Sequence, residues 1–232
     1  MPTVTVTQCI DAAALMAYDP ARTRIRSVNW LEIFNQAQMD LAARTKCLEA
    51  EQTCAVTANE SRSPYPDDLI VVKDVWFTTT PSDPNTYRPL EEKFRDEWKA
   101  QRWGGRSYGT PTNYFARPGF IEMMPGPDTT IVAVTVGSQD YGPLWYTYAK
   151  KATRVLSEQG ATIEVPDWLE QSLEEGMVAR AKIALREPDG LTQLRLWQEG
   201  LVEVRASVED RSDDRRPAFR TPGMEDPFAG MS

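Results

Sequence analysis

The feature of this 232-residue chain that most restricts its fold is the stretch 109–128, which holds four prolines and three glycines. Proline fixes φ and removes a backbone donor, and glycine supports turn conformations, so this stretch cannot continue a helix. Two short runs of aromatic and apolar residues inside it, 113–116 and 120–123, predict strands joined by a turn at 117–119. A further turn at 125–128 follows at once, so the middle of the chain is predicted to be a β-meander.

Both ends of the chain carry apolar residues at the spacing of amphipathic helices. Residues 3–18 predict a first helix that ends before Asp19-Pro20, because the residue before a proline avoids the helical region. Residues 28–46 predict a second helix with Ser27 as its N-cap. The last helical part opens at Pro166 and breaks at 188–190, which predicts an antiparallel helical hairpin. The predicted core positions are Trp30, Ile33, Phe34, Ala37 and Leu41, then Leu169, Leu173, Met177 and Ala181, then Leu194, Trp197, Leu201, Val204 and Val208.

Between the two helical ends, several further segments have the composition of strands. They are residues 53–57, 69–77, 129–136 and 144–156. Residues 129–136 are apolar or neutral on both faces and predict a central strand. For residues 144–156 a strand is favoured over a helix. Leu90, Phe94 and Trp98 are spaced by four and predict a short helix.

Together these segments predict the α+β class. Residues 1–48 and 161–210 would form a helical bundle from the N- and C-terminal helices. Residues 49–160 would form a β-rich insertion, an antiparallel meander or sandwich-like lobe. Residues 211–232 are polar and hold three prolines and two isolated phenylalanines, which predicts an extended C-terminal segment, either a disordered end or an arm that orders on a partner.

Charge and composition exclude several functions. The net charge of −8 argues against a surface that neutralises nucleic-acid phosphates or anionic lipid. No apolar run is long enough to span a bilayer, and the N-terminus lacks the basic region and apolar core of a signal peptide, so we expect synthesis in the cytoplasm. The chain contains no histidine, which removes the Ser-His-Asp triad, the Cys-His dyad and every imidazole zinc site. Its three cysteines match no metal motif and predict buried free thiols.

Acidic residues are the remaining candidates for catalysis. Asp67-Asp68, Glu91-Glu92 and the group Glu170, Glu174 and Glu175 each suit an acid pair or a magnesium site in principle. Each also has a structural explanation, because acids favour helix N-termini and aspartate favours turns. The sequence has no nucleophile elbow, Walker loop or dinucleotide fingerprint, so no cofactor is predicted.

Candidate partner-binding residues are aromatic or basic. Trp103 and Trp145 lie in predicted loop or edge contexts, where tryptophan is an effective interface anchor, although core packing also explains them. In the arm, aspartates lie among the arginines, so a contact with a protein is favoured over a contact with nucleic acid. The candidates in the arm are Arg215, Arg216, Phe219, Arg220 and Phe228.

Four short motifs occur in a fixed order: Tyr65-Pro-Asp-Asp-Leu-Ile70, Gly109-Thr-Pro-Thr-Asn-Tyr114, Met124-Pro-Gly-Pro-Asp128 and Pro166-Asp-Trp-Leu169. This order, over roughly residues 27–210, resembles the head–tail adaptors (head-to-tail connectors, tail tubular protein A-like) of tailed bacteriophages. The chain departs from their pattern in the adjacent tyrosine and proline at 65–66 and in the length of the segment 137–160.

The resemblance implies a structural, non-enzymatic protein of the virion neck. A dodecameric ring of copies would lie under the portal protein, extend the DNA channel without sequence-specific DNA binding, and offer a docking surface to the next tail, nozzle or stopper protein. The arm would order on the portal, with Phe219 and Phe228 as anchors. Three alternatives stay open: another neck or tail-completion protein, a carboxylate-dependent hydrolase, and a generic binding protein with a disordered tail.

Overall fold

The computed structural model describes residues 4–93, 96, 108–136 and 139–214, and it combines helices with strands, in agreement with the α+β class. The chain divides into two compact units. The helical unit comprises residues 4–49 and 149–214, and the β unit comprises residues 50–148. The predicted division into a helical bundle, a β-rich inserted lobe and a C-terminal arm, with limits at 48, 160 and 210, stays a prediction.

The helical unit contains four α-helices: α1 (Val6–Met16), α2 (Ser27–Thr45), α3 (Glu170–Ala184) and α4 (Gly190–Asp214). The start of α1 is fixed by a reciprocal cap. The Gln8 backbone N–H donates to Thr5 Oγ1 at 3.2 Å, and the Thr5 N–H donates to Gln8 Oε1 at 2.9 Å. The helix is therefore shorter at both ends than the predicted range 3–18.

The start of α2 corrects the prediction that Ser27 is an N-cap. Ser27 is the first helical residue, and Arg26 at the cap position forms no side-chain capping bond. At the other end Lys46 takes a left-handed conformation with φ 56°, and its N–H bonds to the carbonyl of Ala42. The helix ends there because a left-handed residue reverses the chain direction while still satisfying a terminal carbonyl.

One apolar core holds the helical unit together, and it confirms the predicted stripes. All of the predicted positions on α2 and α3 are buried, as are Trp197, Leu201 and Val208 on α4, whereas Leu194 and Val204 are half-buried. The helices α3 and α4 form the predicted antiparallel hairpin. Trp197 Nε1 donates to the carbonyl of Ser172 at 2.7 Å, and the Arg180 guanidinium lies over the Trp197 ring at 4.8 Å.

A buried carboxylate organises the connection between α1 and α2. Asp19 is only 2% exposed and accepts backbone N–H bonds from Thr23, Arg24 and Ile25 at 2.8–3.0 Å. Trp30 Nε1 donates a longer bond of 3.4 Å. Burial alone raises the pKa of Asp19, but these donors outweigh it and the pKa is lowered. The connection is thus held by one charge whose partners are mostly backbone groups.

The β unit is built on two four-stranded sheets and one strand pair. The first sheet has the order β1-β10-β3-β4 and the second the order β2-β7-β6-β5, while β8 pairs with β9. The strands are β1 (Glu49–Cys54), β2 (Arg62–Pro64), β3 (Leu69–Phe77), β4 (Arg88–Pro89), β5 (Glu91–Glu92), β6 (Asn113–Arg117), β7 (Phe120–Met124), β8 (Val134–Val136), β9 (Gln139–Tyr141) and β10 (Leu144–Lys150).

The proline- and glycine-rich stretch forms the predicted hairpin. Strands β6 and β7 are antiparallel, with Asn113 opposite Met124 and Arg117 opposite Phe120. The turn places Gly119 at φ +87°, a conformation that residues with a Cβ rarely adopt. The structure confirms the predicted hairpin. The prediction was possible because the turn residues and both strands lie in one short segment of the chain.

Several predicted strands and one predicted helix need correction. Residues 88–92 form β4 and β5 instead of a helix, since the Leu90 N–H bonds to Val75 O at 2.8 Å; Phe94 and Trp98 lie outside the described residues. The predicted central strand 129–136 is reduced to β8, which pairs only with β9 in the described part, and Val132 is 65% exposed. The strand predicted at 53–57 is β1, which begins earlier and is followed by a single bridge at Val56. The strand favoured at 144–156 is confirmed only as β10.

Both four-stranded sheets contribute to one apolar core, as in a sandwich. Its members are Val75 and Phe77 of β3, Tyr114 of β6, Ile121 and Met123 of β7, and Leu144, Tyr146 and Tyr148 of β10, with Val56 and Leu90. Burial raises the pKa of Tyr114 and of Tyr146, which keeps their hydroxyls neutral. Three tyrosines thus fill volume that aliphatic residues fill in the helical core.

Candidate interaction surfaces

Trp145, a predicted interface anchor, lies on the face of β10 opposite to the core residues Leu144 and Tyr146. Its ring stacks on that of Trp76, with 4.8 Å between centroids and 27° between planes. Tyr87 meets it edge-on at 5.8 Å and donates from its hydroxyl to Gly142 O at 2.6 Å. We call Trp76, Tyr87 and Trp145 the aromatic cluster. All three are half-buried, so part of each side chain stays accessible to a partner.

The cluster also has a defined protonation state. Burial raises the pKa of Tyr87, and the nearby Tyr141 adds to this effect. The hydroxyl therefore remains a neutral donor to Gly142 over the physiological range. The assignment of Trp145 as a partner-binding residue stays a prediction. The other predicted partner-binding residues, Trp103, Arg215, Arg216, Phe219, Arg220 and Phe228, lie outside the described residues.

A groove of about 400 Å³ runs along one side of the α3–α4 hairpin, and we call it the hairpin groove. Its lining residues are Met16 of α1, Ser172, Glu175 and Val178 of α3, and Gln193, Leu196, Trp197, Gly200, Leu201 and Val204 of α4. Leu196 is 61% exposed and Met16 is 43% exposed, although both are apolar. Exposed apolar surface that lines a groove is typical of a site that a partner covers.

Two glycines shape the hairpin groove. A Cβ on Gly176 would come within 2.5 Å of the Trp197 ring, so this glycine allows the indole to close on α3. A Cβ on Gly200 would meet nothing within 4 Å, so this position opens the groove without any packing requirement. Glycine within a helix costs about 1 kcal/mol relative to alanine, which makes an unpacked Gly200 an unusual choice for stability alone.

Carboxylates border the hairpin groove. Glu175 lines it and accepts a 3.0 Å bond from Gln171 Nε2. Glu203 follows Leu196 by seven residues and Gly200 by three, so it lies on the same side of α4. Burial, Glu170 and Glu175 together raise the pKa of Glu174 nearby. Among the described residues no ion pair involves Glu175 or Glu203, so the groove is apolar with an acidic margin.

A second groove of about 410 Å³ lies in the β unit beside β3 and the β6–β7 turn. Tyr65, Leu69 and the turn residues Arg117 to Gly119 contribute to its lining. The Arg117 guanidinium pairs with the buried Glu122 at 2.7 Å and lies over the Phe115 ring at 5.0 Å. Burial raises the pKa of Tyr65 to about 12. Because Arg117 is already paired with Glu122, its charge is neutralised inside the β unit.

The acidic candidates for catalysis have structural neighbours. Asp68 accepts from the Tyr148 hydroxyl at 3.2 Å, and Glu91 pairs with Lys93 at 2.9 Å. Glu170 and Glu175 act on Glu174 through their charges alone. Within the ranges that the structure describes, no group of three or more cysteine, aspartate or glutamate side chains is placed to hold a metal ion.

The cysteines correct one prediction. Cys9 is buried, and burial together with Glu174 and Glu170 raises its pKa to about 12. Cys47 and Cys54 are only half-buried. Cys47 lies in the connection between α2 and β1, and Cys54 is the last residue of β1. All three are free thiols.

Sequence reasoning missed the hairpin groove. It identified the buried stripe of α4 but gave no weight to the residues beside that stripe. Leu196, which is 61% exposed, falls outside the stripe although it is apolar, and Gly200 interrupts the helix-forming residues. An apolar residue off the core stripe together with a mid-helix glycine was the available signal.

None of the helices within the described residues is both long and apolar enough to cross a membrane. Residues 4–222 match the family model described as SU10 adaptor protein. A comparison with curated proteins finds no match. The family match spans nearly the whole chain and confirms the resemblance found in the sequence motifs: the chain belongs to the SU10 adaptor protein family, a family of bacteriophage head–tail adaptors.

Proposed function

We propose that this chain forms a ring under the portal of a tailed bacteriophage, extends the DNA channel, and offers a docking surface to the tail. The observation that carries the proposal is the family match over residues 4–222. Two further features support it. The helical unit has an apolar groove that is not filled by its own described residues, and the β unit carries loops and sheet edges suited to a partner.

The proposed assembly has three kinds of protein contact. Copies of the chain contact one another in a dodecameric ring, the portal lies on one side, and a nozzle, stopper or other tail protein lies on the other. DNA passes through the lumen without sequence-specific binding. A net charge of −8 supports this passage, because a negative wall repels phosphate. The protein would thus act in the neck of the virion as a structural component.

The arm was predicted to begin at residue 211, but α4 continues to Asp214, so its first four residues are helical. The rest of the arm, residues 215–232, is the proposed peptide-like contact of the adaptor with its neighbours. Its arginines at 215, 216 and 220 and its phenylalanines at 219 and 228 combine charge-assisted bonding with apolar anchors. Trp103 and the exposed edge of Trp145 are proposed contacts of the β unit. Such isolated anchors suit an assembly in which flexible segments order as the neck forms.

The proposal is tested by measuring mass with light scattering after size exclusion, for the protein alone and with the portal of the same phage. We expect a complex whose mass corresponds to a ring of adaptors on a ring of portals. A chain lacking residues 215–232 should bind the portal at least about tenfold more weakly, and the Glu199→Gln variant, altered at an exposed ion pair, should bind normally. A mixture with the portal that shows no complex at any concentration tested would contradict the proposal.

A further inference from the structure

The hairpin groove is an unfilled apolar site with a defined chemistry. We propose that it receives Phe219 and the flanking arginines of the arm from a second copy of this chain. This inference deepens the proposed function, on which it rests for the ring in which the contact would repeat. It is argued from the shape of the groove, from its charge, and from the length of chain that separates the groove from Phe219.

The apolar part of the groove matches a single aromatic anchor. Leu196 and Met16 expose apolar surface at its margins, Trp197 forms its floor, and Gly200 leaves room where any other residue would place a side chain. A phenylalanine ring buries about 150–200 Å² on entering such a site, which is enough to anchor a short segment. Phe219 is preceded by Pro217 and Ala218, neither of which has a large side chain that competes for the same space.

The charges of the groove and the arm are opposite. Glu175 lines the groove, and Glu203 lies on the same side of α4 by its helical spacing; neither forms an ion pair among the described residues. The six residues from Arg215 to Arg220 carry three arginines and no acidic residue. Guanidinium groups bond carboxylates through paired N–H donors, so arginines on both sides of Phe219 would match acidic residues on both sides of the groove.

The chain is too short for Phe219 to reach the centre of the groove in its own copy. That centre, between Leu196 and Gly200, lies 14 to 18 residues before the end of α4 at Asp214. At 1.5 Å per helical residue this is about 21–27 Å. Phe219 lies five residues beyond Asp214, so a fully extended chain spans at most about 18 Å, part of which the reversal consumes. A phenylalanine beside Gly200 therefore comes from another copy.

The consequence is a head-to-tail contact, in which the arm of one copy enters the groove of the next. Such heterologous contacts close into rings when the rotation between copies allows it. The inference also divides the arm between two neighbours. The basic half around Phe219 belongs to the adjacent adaptor, and Phe228, nine residues further along, remains for the portal.

The contact is tested in the full-length protein carrying Cys9→Ala, Cys47→Ala and Cys54→Ala, so that the native thiols cannot compete. Two variants of this protein, each with one introduced cysteine, are mixed. One chain carries Gly200→Cys and a size tag, and the other carries Ala218→Cys, which leaves Phe219 intact. Oxidation then forms a mixed disulfide only between chains. The matched control replaces Gly200→Cys by Val202→Cys, which is 70% exposed and lies on the opposite side of α4. We expect the Gly200 pair to give at least about fivefold more mixed dimer than the control pair.

Three further variants probe the aromatic anchors and the acidic margin. Phe219→Ala in the Ala218→Cys chain should reduce the mixed dimer to the control level, whereas Phe228→Ala should leave it within about twofold. Glu203→Lys in the tagged chain should lower it several-fold. Equal yields from Gly200→Cys and Val202→Cys at every concentration would overturn the inference, as would indifference to Phe219→Ala. Because no portal is present, these outcomes are independent of the portal-binding test of the proposed function.

Discussion

The two units of the chain bury their apolar residues in different ways. In the helical unit, stripes from four helices meet in one cluster, and each helix keeps a second face that need not pack. In the β unit, short strands of two sheets share one core whose largest members include three tyrosines. Each unit carries a groove outside its core, the hairpin groove beside α3 and α4 and the second groove beside β3 and the β6–β7 turn. They differ in what borders them, because exposed apolar side chains of helices line the first and the internally paired Arg117 lines the second.

The units also differ in what fixes their irregular segments. The α1–α2 connection of the helical unit depends on one carboxylate, Asp19, held by backbone N–H groups. The corresponding constraint in the β unit is steric, because Gly142 lies against the backbone of Cys54. An isosteric substitution that removes the charge of Asp19 is enough to weaken the α1–α2 connection. The contact of Gly142 with Cys54 is disturbed only by a side chain of larger volume. Substitutions at the two positions therefore test the contrast directly.

The largest effect is expected from Gly142→Ala in the β unit. A Cβ there would come within 2.5 Å of Cys54 O and 2.6 Å of Cys54 N, and backbone atoms cannot move aside as side-chain ends can. We expect a loss of about 3 kcal/mol or more in the free energy of unfolding. Hydrogen exchange of the Tyr146 amide reports the β unit, and that of Phe34 reports the helical unit. Gly109→Ala, whose Cβ would meet only Pro125 Cγ at 3.7 Å, is the matched control and should be nearly neutral.

The next largest effect is expected from Asp19→Asn in the helical unit. Both carboxylate oxygens accept bonds from N–H groups, so an amide NH₂ in either position would face a donor. The loss of charge-assisted bonds in a site that is 2% exposed should cost about 2–3 kcal/mol. Protection of the Phe34 amide should fall and that of Tyr146 should not. Glu199→Gln, at an exposed pair, should change stability by less than about 0.5 kcal/mol.

Asp19 also makes the stability of the helical unit depend on pH. Its pKa is lowered in the folded state, so the carboxylate stabilises the fold above the ordinary aspartate pKa of about 4. That contribution is lost as the pH falls through the lowered pKa. The wild-type protein should lose more stability between about pH 4 and pH 2 than Asp19→Asn does. Equal slopes for the two proteins in acid denaturation would contradict this assignment.

Sequence reasoning succeeded where structure is set by near neighbours in the chain. The stripes of α2, α3 and α4 and the turn at Pro118-Gly119 depend on local spacing and local dihedral preferences, and the structure confirms them. It failed where a distant partner decides. Leu90 bonds to Val75 in place of a helical neighbour. In the described part of the chain, residues 129–133 form a β-bridge only between Ile131 and Val56, although their side chains favour extended structure. The hairpin groove was missed for a related reason, because its walls come from three helices.

A smaller effect, with opposite signs at two sites, is expected from two glycines of the helical hairpin. Gly176→Ala would place a Cβ 2.5–2.6 Å from the buried Trp197 ring, and crowding should outweigh the gain in helix propensity and cost about 1–2 kcal/mol. Gly200→Ala meets nothing within 4 Å and should gain about 0.5–1 kcal/mol. Urea denaturation followed by helical circular dichroism measures both changes. A stabilising Gly176→Ala would show that Trp197 can move away from α3.

The smallest effect is expected from the aromatic cluster of the β unit. Trp145→Leu removes the stack on Trp76 and the edge contact with Tyr87 while leaving the core residues Leu144 and Tyr146 in place. The aromatic contacts should account for about 1 kcal/mol beyond the loss of buried area. A double-mutant cycle with Trp76→Leu isolates this contribution, because each single change removes the same stack. A coupling near zero would mean that the two rings stabilise the β unit separately, and the cluster would then be better explained as a surface kept for a partner.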